Sequence, residues 1–155
     1  MWLDMHLYKK KYLWWDTKEW KIELVNTKWE IVSYPVEWIK KLVYKEAYWS
    51  KANAIHKRFV DNVQDWEDDC GEYEVYEGNF KDLHDRCEKI LNTKKTENWV
   101  TSINEELALQ LLPPQSWFFF WWTDIDERYI KDIEDTYEIT KKALQNIQGW
   151  DYYYT

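Results

Sequence analysis

Residues 22–63 read IELVNTKWEIVSYPVEWIKKLVYKEAYWSKANAIHKRFVDNV, and this stretch decides the predicted fold class. Apolar and polar residues alternate on both sides of Asn26-Thr27-Lys28-Trp29, which is the pattern of a β-hairpin. From Pro35 onward, apolar residues recur every three or four positions, and Pro35 itself suits a first helical turn. The spacing therefore predicts one long central helix over residues 35–63, directly after the hairpin.

The regions on either side of this stretch predict more strands. Leu3, Met5 and Leu7 alternate with polar residues, which indicates a half-buried first strand. A short strand is predicted over residues 73–75, and the aromatic tail Asp151–Thr155 is expected to add a strand at the edge of the sheet.

Two further helices are predicted from apolar spacing and capping residues, over residues 79–93 and 124–148. Strands and helices do not alternate strictly along the chain. We therefore expect an α+β fold, with a small, mainly antiparallel sheet packed against the long central helix and two or more further helices. The length favours a single domain spanning residues 1–155.

The charge balance limits the classes of partner. The 155 residues include 21 Lys and Arg and 29 Asp and Glu, for a formal net charge of −8. This charge argues against a general nucleic-acid binder and against an anionic membrane surface. The distribution is uneven, because residues 1–60 carry 12 basic and 7 acidic groups whereas residues 61–155 carry 9 and 22. We expect one domain with a positive and a negative face.

Composition also bears on the cellular location. No apolar run approaches the roughly 20 residues of a membrane span. Asp4 and His6 interrupt the order of charges and apolar residues that a signal peptide needs. Two cysteines cannot form a disulfide framework, so a reducing, intracellular environment is expected, with no membrane partner.

No catalytic or cofactor-binding motif is present in the sequence, so we expect no cofactor and favour a protein that is not an enzyme. Cys70, His84 and Cys87 are the candidates for a metal site. His84 and Cys87 are three residues apart on a predicted helix, so both could face one ion, but the ligand set is incomplete. Cys87 also fits the apolar stripe of that helix. We therefore expect no metal.

One helix face carries the best candidates for chemistry. Asn53 and His56, at i and i+3, can present their side chains side by side, and Trp49 lies on the same stripe. A histidine there could act as a general acid or base. The favoured alternative is a core histidine whose ring nitrogens form hydrogen bonds inside the protein, because the spacing places no nucleophile or carboxylate beside it.

A second candidate region is the aromatic segment Gln115–Thr123, which leads into the last predicted helix. Together with the helix face it forms the expected contact region, with candidate binding residues Trp49, Asn53, His56, Gln115, Ser116 and Thr123. In the enzyme alternative, His56 is the acid or base, and Asn53 and Gln115 orient a substrate. If the aromatics are taken literally, a carbohydrate or membrane-interface binder is the third alternative.

Three segments together resemble a family of small, uncharacterised proteins encoded by phages and prophages. They are Trp2–Lys10, Ala47–Lys57 running on to Asp68-Asp69-Cys70, and Leu111–Ser116 followed by three phenylalanines. The resemblance departs at Ser50, where the family often has arginine, and at positions 2, 66, 117 and 121, where it has glycine. The family has no established activity, so the resemblance implies a phage context and no mechanism. Together with the absence of a catalytic motif and the uneven charge, it leads us to expect an accessory protein in the host cytoplasm that binds a host or phage protein or a small ligand.

The chain has 13 tryptophans and 3 glycines, and several tryptophans stand where glycine is usual. Trp29 closes the predicted hairpin, and Asp65-Trp66 and Asn98-Trp99 stand where Asp-Gly and Asn-Gly turns are common. We expect that UGA codons meaning glycine in the source organism have been translated as tryptophan. The alternative is a correct, tryptophan-rich sequence. The expected glycine positions are Trp2, Trp14, Trp15, Trp29, Trp66, Trp99, Trp117, Trp121 and Trp122. Trp38 and Trp49 are expected to be genuine, and Trp20 and Trp150 stay open.

Overall fold

The computed structural model describes residues 4–13, 21–35, 39–69, 71–115 and 123–155. The strands are β1 Asp4–Tyr12, β2 Lys21–Val25, β3 Ile31–Pro35, β4 Lys41–Ser50, β5 Tyr73–Val75, β6 Lys95–Glu97, β7 Val100–Ser102 and β8 Asp151–Tyr154. The helices are α1 Asn53–Asn62, α2 Glu77–Leu91, α3 Glu105–Leu111 and α4 Glu127–Asn146, the last followed by a 3₁₀ turn over Ile147–Gly149.

The main sheet has four antiparallel strands in the order β4-β1-β8-β5, and two separate hairpins pair β2 with β3 and β6 with β7. Helices and an antiparallel sheet in one chain confirm the α+β prediction. The predicted first strand, hairpin and short strand are present as β1, β2–β3 and β5. The tail strand is present as β8, but it lies between β1 and β5, so its predicted edge position is wrong.

The predicted long helix over residues 35–63 is wrong in its first half. Residues 41–50 form strand β4, and only residues 53–62 form a helix. Ala47 and Trp49, two residues apart, face the core and pair with Leu7 and Met5 of β1. The apolar spacing fitted a helix, but pairing with β1 and the β-branched and aromatic residues of this segment favour a strand. The longest helix is α4.

The predicted helices over residues 79–93 and 124–148 are confirmed as α2 and α4, with shifted bounds. Asn79 is not the N-cap of α2. It occupies the third helical position, and its side chain accepts a hydrogen bond from the Tyr76 backbone, within a capping box. Asp126 caps α4 by accepting a hydrogen bond from the Tyr129 backbone at 2.9 Å.

The helices pack on one face of the sheet, where strand residues and helix residues form the core. The ring of Tyr154 in β8 stacks on Phe59 of α1 at 4.0 Å, and Tyr152 meets the ring of Phe80 of α2 edge-on at 5.1 Å. Both tyrosines are fully buried. The core therefore brings β8, near the end of the chain, against α1 and α2. The opposite face of the sheet lies outside this core.

Three turns carry a tryptophan in the left-handed backbone region. Trp29, Trp66 and Trp99 have φ angles of 63°, 69° and 68° and are 86%, 74% and 98% exposed. Glycine adopts this region without cost, whereas a residue with a Cβ atom is strained there. Trp49, in contrast, is buried in β4. The other six expected glycine positions, together with Trp20 and Trp38, lie outside the described residues.

Among the described residues, no helix combines the length and the apolar composition needed to cross a bilayer.

Candidate functional site

A pocket lies where the first turns of α1 and α4 meet the chain after α3. Its polar lining consists of Lys51, Asn53, Asp124, Asp126, Arg128 and Asp132, and Pro114 closes one side. The cavity measures about 40 Å³. Pro114 and Asp124 stand close to the two ends of the aromatic segment 115–123, so the pocket joins the two regions that the sequence singled out.

The α1 side of the pocket follows from an abrupt change from strand to helix. Strand β4 ends at Ser50 and α1 begins at Asn53, and Lys51 makes the connection with a φ angle of 60°. The Asn53 backbone N–H donates to the Lys51 carbonyl at 2.9 Å. Ala52 occupies the N-cap position without a side-chain hydrogen bond. This tight connection places the half-buried Lys51 beside the first turn of α1.

The α4 side of the pocket supplies three carboxylates and one guanidinium. Burial, with the neighbouring carboxylates of Asp135 and Asp126, raises the pKa of Asp132 to about 7, and Arg128 opposes this rise. Asp132 therefore carries a proton part of the time at neutral pH. The pocket lining therefore combines a carboxylic acid, carboxylates, an ammonium and a guanidinium.

His56 does not reach the pocket as an accessible base. It is 4% exposed. Its Nδ1 lies 2.6 Å from the Tyr154 hydroxyl, and its Nε2 lies 3.2 Å from an Asp68 carboxylate oxygen. Tyr154 is itself fully buried. The favoured alternative for His56, a core histidine with internal hydrogen bonds, therefore agrees with the structure.

The other predicted site residues are divided between the core and the surface. Trp49 is buried, and its indole N–H donates to the Thr136 hydroxyl at 2.9 Å. Asn53 is buried and lines the pocket. Gln115 and Thr123 are exposed. Ser116 lies outside the described residues. The structure thus brings Asn53 close to the ends of the aromatic segment but does not place His56, Asn53 and Gln115 in one open cleft.

His84 and Cys87 form separate contacts. His84 stacks on Tyr137 and lies within hydrogen-bond distance of the Thr140 hydroxyl at 3.1 Å. Cys87 is fully buried, and burial raises the pKa of its thiol to about 12, which disfavours the thiolate that a metal requires. Cys70 lies outside the described residues. Within the described part of the chain, no group of three or more His, Cys, Asp and Glu is arranged to hold a metal ion.

Of the polar pocket residues, the sequence prediction included only Asn53 and missed five, namely Lys51, Asp124, Asp126, Arg128 and Asp132. Asp132 left a detectable signal, because it precedes Thr136 and Thr140 at intervals of four on α4 and both threonines are buried. A carboxylate in line with two buried threonines faces toward the interior. No sequence signal marks Lys51 and Arg128, because their place in the pocket depends on how α1 and α4 pack.

Comparison of the chain with protein-family models, with curated proteins and with solved structures finds no match.

Proposed function

We propose that this chain is a small accessory protein that acts by binding a protein partner, with the pocket at α1 and α4 and the neighbouring segment 115–123 as its contact region. The observation that carries the proposal is the convergence of Asn53, Pro114 and Asp124 on one charged pocket. The pocket needs two regions of the chain, one around Asn53 and one around Pro114, which are about 60 residues apart in the sequence.

The size of the pocket supports a protein partner over a metabolite. Sites for drug-sized ligands usually measure about 300–1,000 Å³. A cavity of about 40 Å³ admits the tip of one polar side chain. Lys51 and Arg128 on one hand, and Asp124 and Asp132 on the other, offer partners of both signs to such a side chain.

The burial of His56 argues against the enzyme alternative. Both ring nitrogens lie within hydrogen-bond distance of protein side chains, and a general base must reach the proton that it removes. The third alternative needs a plane of exposed indoles. Among the described residues, Trp29, Trp66 and Trp99 are exposed but occupy three separate turns, and Trp49 is buried. The tryptophans at 117, 121 and 122 lie outside the described residues. Binding through the pocket is therefore the better supported activity.

The origin and location of the protein rest on the sequence resemblance. It favours a phage-encoded protein that acts in the host cytoplasm on a host or phage protein. The charge-polarised chain and its lack of a catalytic motif agree with an accessory role.

The experiment is affinity capture from infected host cells with the full chain as bait. The pocket variants Asp124→Lys and Arg128→Glu are compared with Asp85→Lys and Lys89→Glu, which make the same charge changes at exposed positions of α2. We expect one protein that the wild type and both α2 variants recover and that both pocket variants lose. Recovery with all four variants would place the contact elsewhere and reject the pocket.

We further propose that Trp29, Trp66 and Trp99 are glycines in the source organism. Their positive φ angles and exposed side chains support this, because glycine fits such turns and tryptophan gains nothing from burial there. Trp150 behaves differently. Its φ is −147°, and its ring meets Tyr44 edge-on at 5.2 Å. Sequencing the gene decides the matter, since UGG codons at all three turn positions would end the proposal.

A further inference from the structure

The face of the main sheet that points away from the helices carries alternating rings and ammonium groups on β1 and β4. Cross-strand partners share a face, and Leu7–Ala47 and Met5–Trp49 face the core. His6 and its partner Tyr48 therefore face outward, and a β-bulge at Glu46, between the pairs Leu7–Ala47 and Tyr8–Lys45, keeps Lys45, Val43 and Lys41 on the same outward face. We name this surface the lysine–tyrosine face. Its members are His6, Tyr8, Lys10 and Tyr12 on β1 and Lys41, Val43, Lys45 and Tyr48 on β4. Lys10 is buried in an ion pair with Glu72, so the exposed ammonium groups of the face are those of Lys41 and Lys45.

The register places a lysine beside a ring at several points of the lysine–tyrosine face. Tyr12 pairs with Lys41 and Tyr8 pairs with Lys45. The Lys45 ammonium lies 4.8 Å from the centre of the Tyr48 ring, and His6 stacks on the same tyrosine at 5.1 Å. Burial and the nearby Lys45 lower the pKa of His6. The histidine is thus a neutral ring at physiological pH.

Several side chains of the lysine–tyrosine face are exposed to solvent, whereas the opposite face of the same sheet is part of the core. Tyr12, Tyr48 and Val43 are 46%, 47% and 49% exposed, and Lys41 and Lys45 are also exposed. Tyr12 lies six residues along β1 from His6, the partner of Tyr48, so the two exposed rings are roughly 20 Å apart along the strands. Exposed rings on a sheet lose stabilisation by burial and are typical of a surface that binds a partner.

The positive charge that the lysine–tyrosine face exposes comes from Lys41 and Lys45 of β4. Lys9 lies on the opposite face, where its ammonium and that of Lys142 contact the buried Glu46 carboxylate at N–O distances of 2.6 and 2.8 Å. Asp4, at the other end of β1, accepts a hydrogen bond from the Tyr48 hydroxyl at 2.6 Å. An anion on this face would therefore contact Lys41 and Lys45.

We propose that the lysine–tyrosine face binds single-stranded nucleic acid, with bases stacking on the tyrosines and phosphates contacting the lysines. Stacking of bases on aromatic side chains and neutralisation of phosphates by lysines are the two components of such binding. An acidic peptide would use the lysines alone, so the exposed rings favour the nucleic acid. The net charge predicted no nucleic-acid partner, but it averages over the two faces of the fold. This surface shares no residue with the pocket.

Glu74 and Asp151 limit where the nucleic-acid strand can lie on the sheet. Both belong to the half of the sheet formed by β5 and β8. Burial raises the pKa of Tyr153 on that half, and the carboxylates of Glu74, Asp151 and Glu72 raise it further. Phosphates are repelled from that half. The expected path therefore runs along β1 and β4.

The test is fluorescence anisotropy of the full chain with labelled 15-nucleotide oligodeoxyuridylate and oligouridylate, which share one base and differ in the sugar, each measured over a range of salt concentrations. We expect binding that weakens as salt rises, and the tighter arm identifies the preferred sugar. Lys41→Glu with Lys45→Glu should weaken binding at least tenfold and flatten the salt dependence. Tyr12→Leu with Tyr48→Leu should weaken it about tenfold with an unchanged salt slope, because stacking is lost and no charge changes.

Matched controls separate this site from general charge effects. Lys89→Glu on α2 and Trp99→Gly in the β6–β7 turn change an exposed lysine and an exposed ring elsewhere, and both should bind as the wild type does. Thermal unfolding shows that each variant is folded. The proposal is overturned if the wild type binds neither oligonucleotide at low salt, or if Lys89→Glu loses as much affinity as the Lys41→Glu, Lys45→Glu variant. It is also overturned if the tyrosine variant binds the oligonucleotides as tightly as the wild type does and the wild type binds polyglutamate equally tightly.

Discussion

The indole Nε1 of Trp49 in β4 donates a hydrogen bond to the Thr136 hydroxyl of α4 at 2.9 Å, across 87 residues of sequence. The Thr136 hydroxyl in turn donates to the Asp132 carbonyl at 2.6 Å, one turn earlier on α4. Both side chains are buried. This contact ties the sheet to the helix whose first turns form the pocket, so the site depends on it.

Loss of this hydrogen bond is expected to cost stability. Trp49→Phe keeps a large ring but removes the donor, and we expect the free energy of unfolding to fall by about 1–2 kcal/mol. Trp49→Ala should cost about 3–5 kcal/mol, because it also leaves a cavity. Urea unfolding measures both values. Equal stability of Trp49→Phe and wild type would show that the bond contributes nothing.

Replacement of the three turn tryptophans by glycine is expected to stabilise the chain. A residue with a Cβ atom in the left-handed region costs roughly 1–2 kcal/mol, and glycine loses part of this gain through the entropy of the unfolded chain. Trp29→Gly, Trp66→Gly and Trp99→Gly should each raise the free energy of unfolding by roughly 1 kcal/mol.

Trp150→Gly is the control for these variants, because Trp150 has an extended φ of −147° and packs against Tyr44. It should destabilise the chain in the same urea experiment. A loss of stability in all three turn variants would contradict the glycine proposal.

The hydrogen bond between His56 and Tyr154 is expected to stabilise the folded chain. Tyr154→Phe removes the partner of His56 Nδ1 inside the core, and the free energy of unfolding should fall by about 1–2 kcal/mol. Tyr153→Phe, at the neighbouring and partly exposed position of β8, should change it by less than about 0.5 kcal/mol. Thermal unfolding compares the two variants. A matched loss in both would show that the buried hydrogen bond has no special importance.

The raised pKa of Asp132 predicts a pH dependence of stability. Its pKa is about 7 in the folded chain, against a usual value of 3.8, so the folded state binds a proton that the unfolded state has released. Stability is therefore lost as the pH rises from about 4 to about 7. Asp132→Asn should leave the melting temperature nearly unchanged at pH 4 and raise it at pH 8.

Asp85→Asn on the exposed surface of α2 provides the comparison for Asp132→Asn, since it also removes one carboxylate. If both variants shift the melting temperature equally at pH 8, the effect comes from net charge and the burial of Asp132 is irrelevant.

The candidate site was partly predictable from the sequence. Asn53 and the segment after Pro114 were identified because amide and aromatic side chains stood out from helical spacing and from the local composition. Their approach to one pocket was an expectation, and it depends on α1 and α4 meeting at their first turns. Arg128 and Lys51 joined the pocket only through that packing, which no local pattern encodes.

Local patterns by themselves determined the α+β class, the β2–β3 hairpin, α2, α4 and the three turns in which Trp29, Trp66 and Trp99 have a positive φ. Each of these depends on contacts or backbone angles within a few residues. Only the tertiary structure decided that residues 41–50 form a strand, because the hydrogen bonds that stabilise β4 come from β1, whose paired residues lie 29 to 46 positions earlier. It also decided that β8 lies inside the sheet, that His56 is buried against Tyr154, and that Lys41 and Lys45 share the outward face of the sheet with Tyr12 and Tyr48. Strand pairing and side-chain burial depend on residues that are distant in the sequence, so a short stretch of sequence does not predict them.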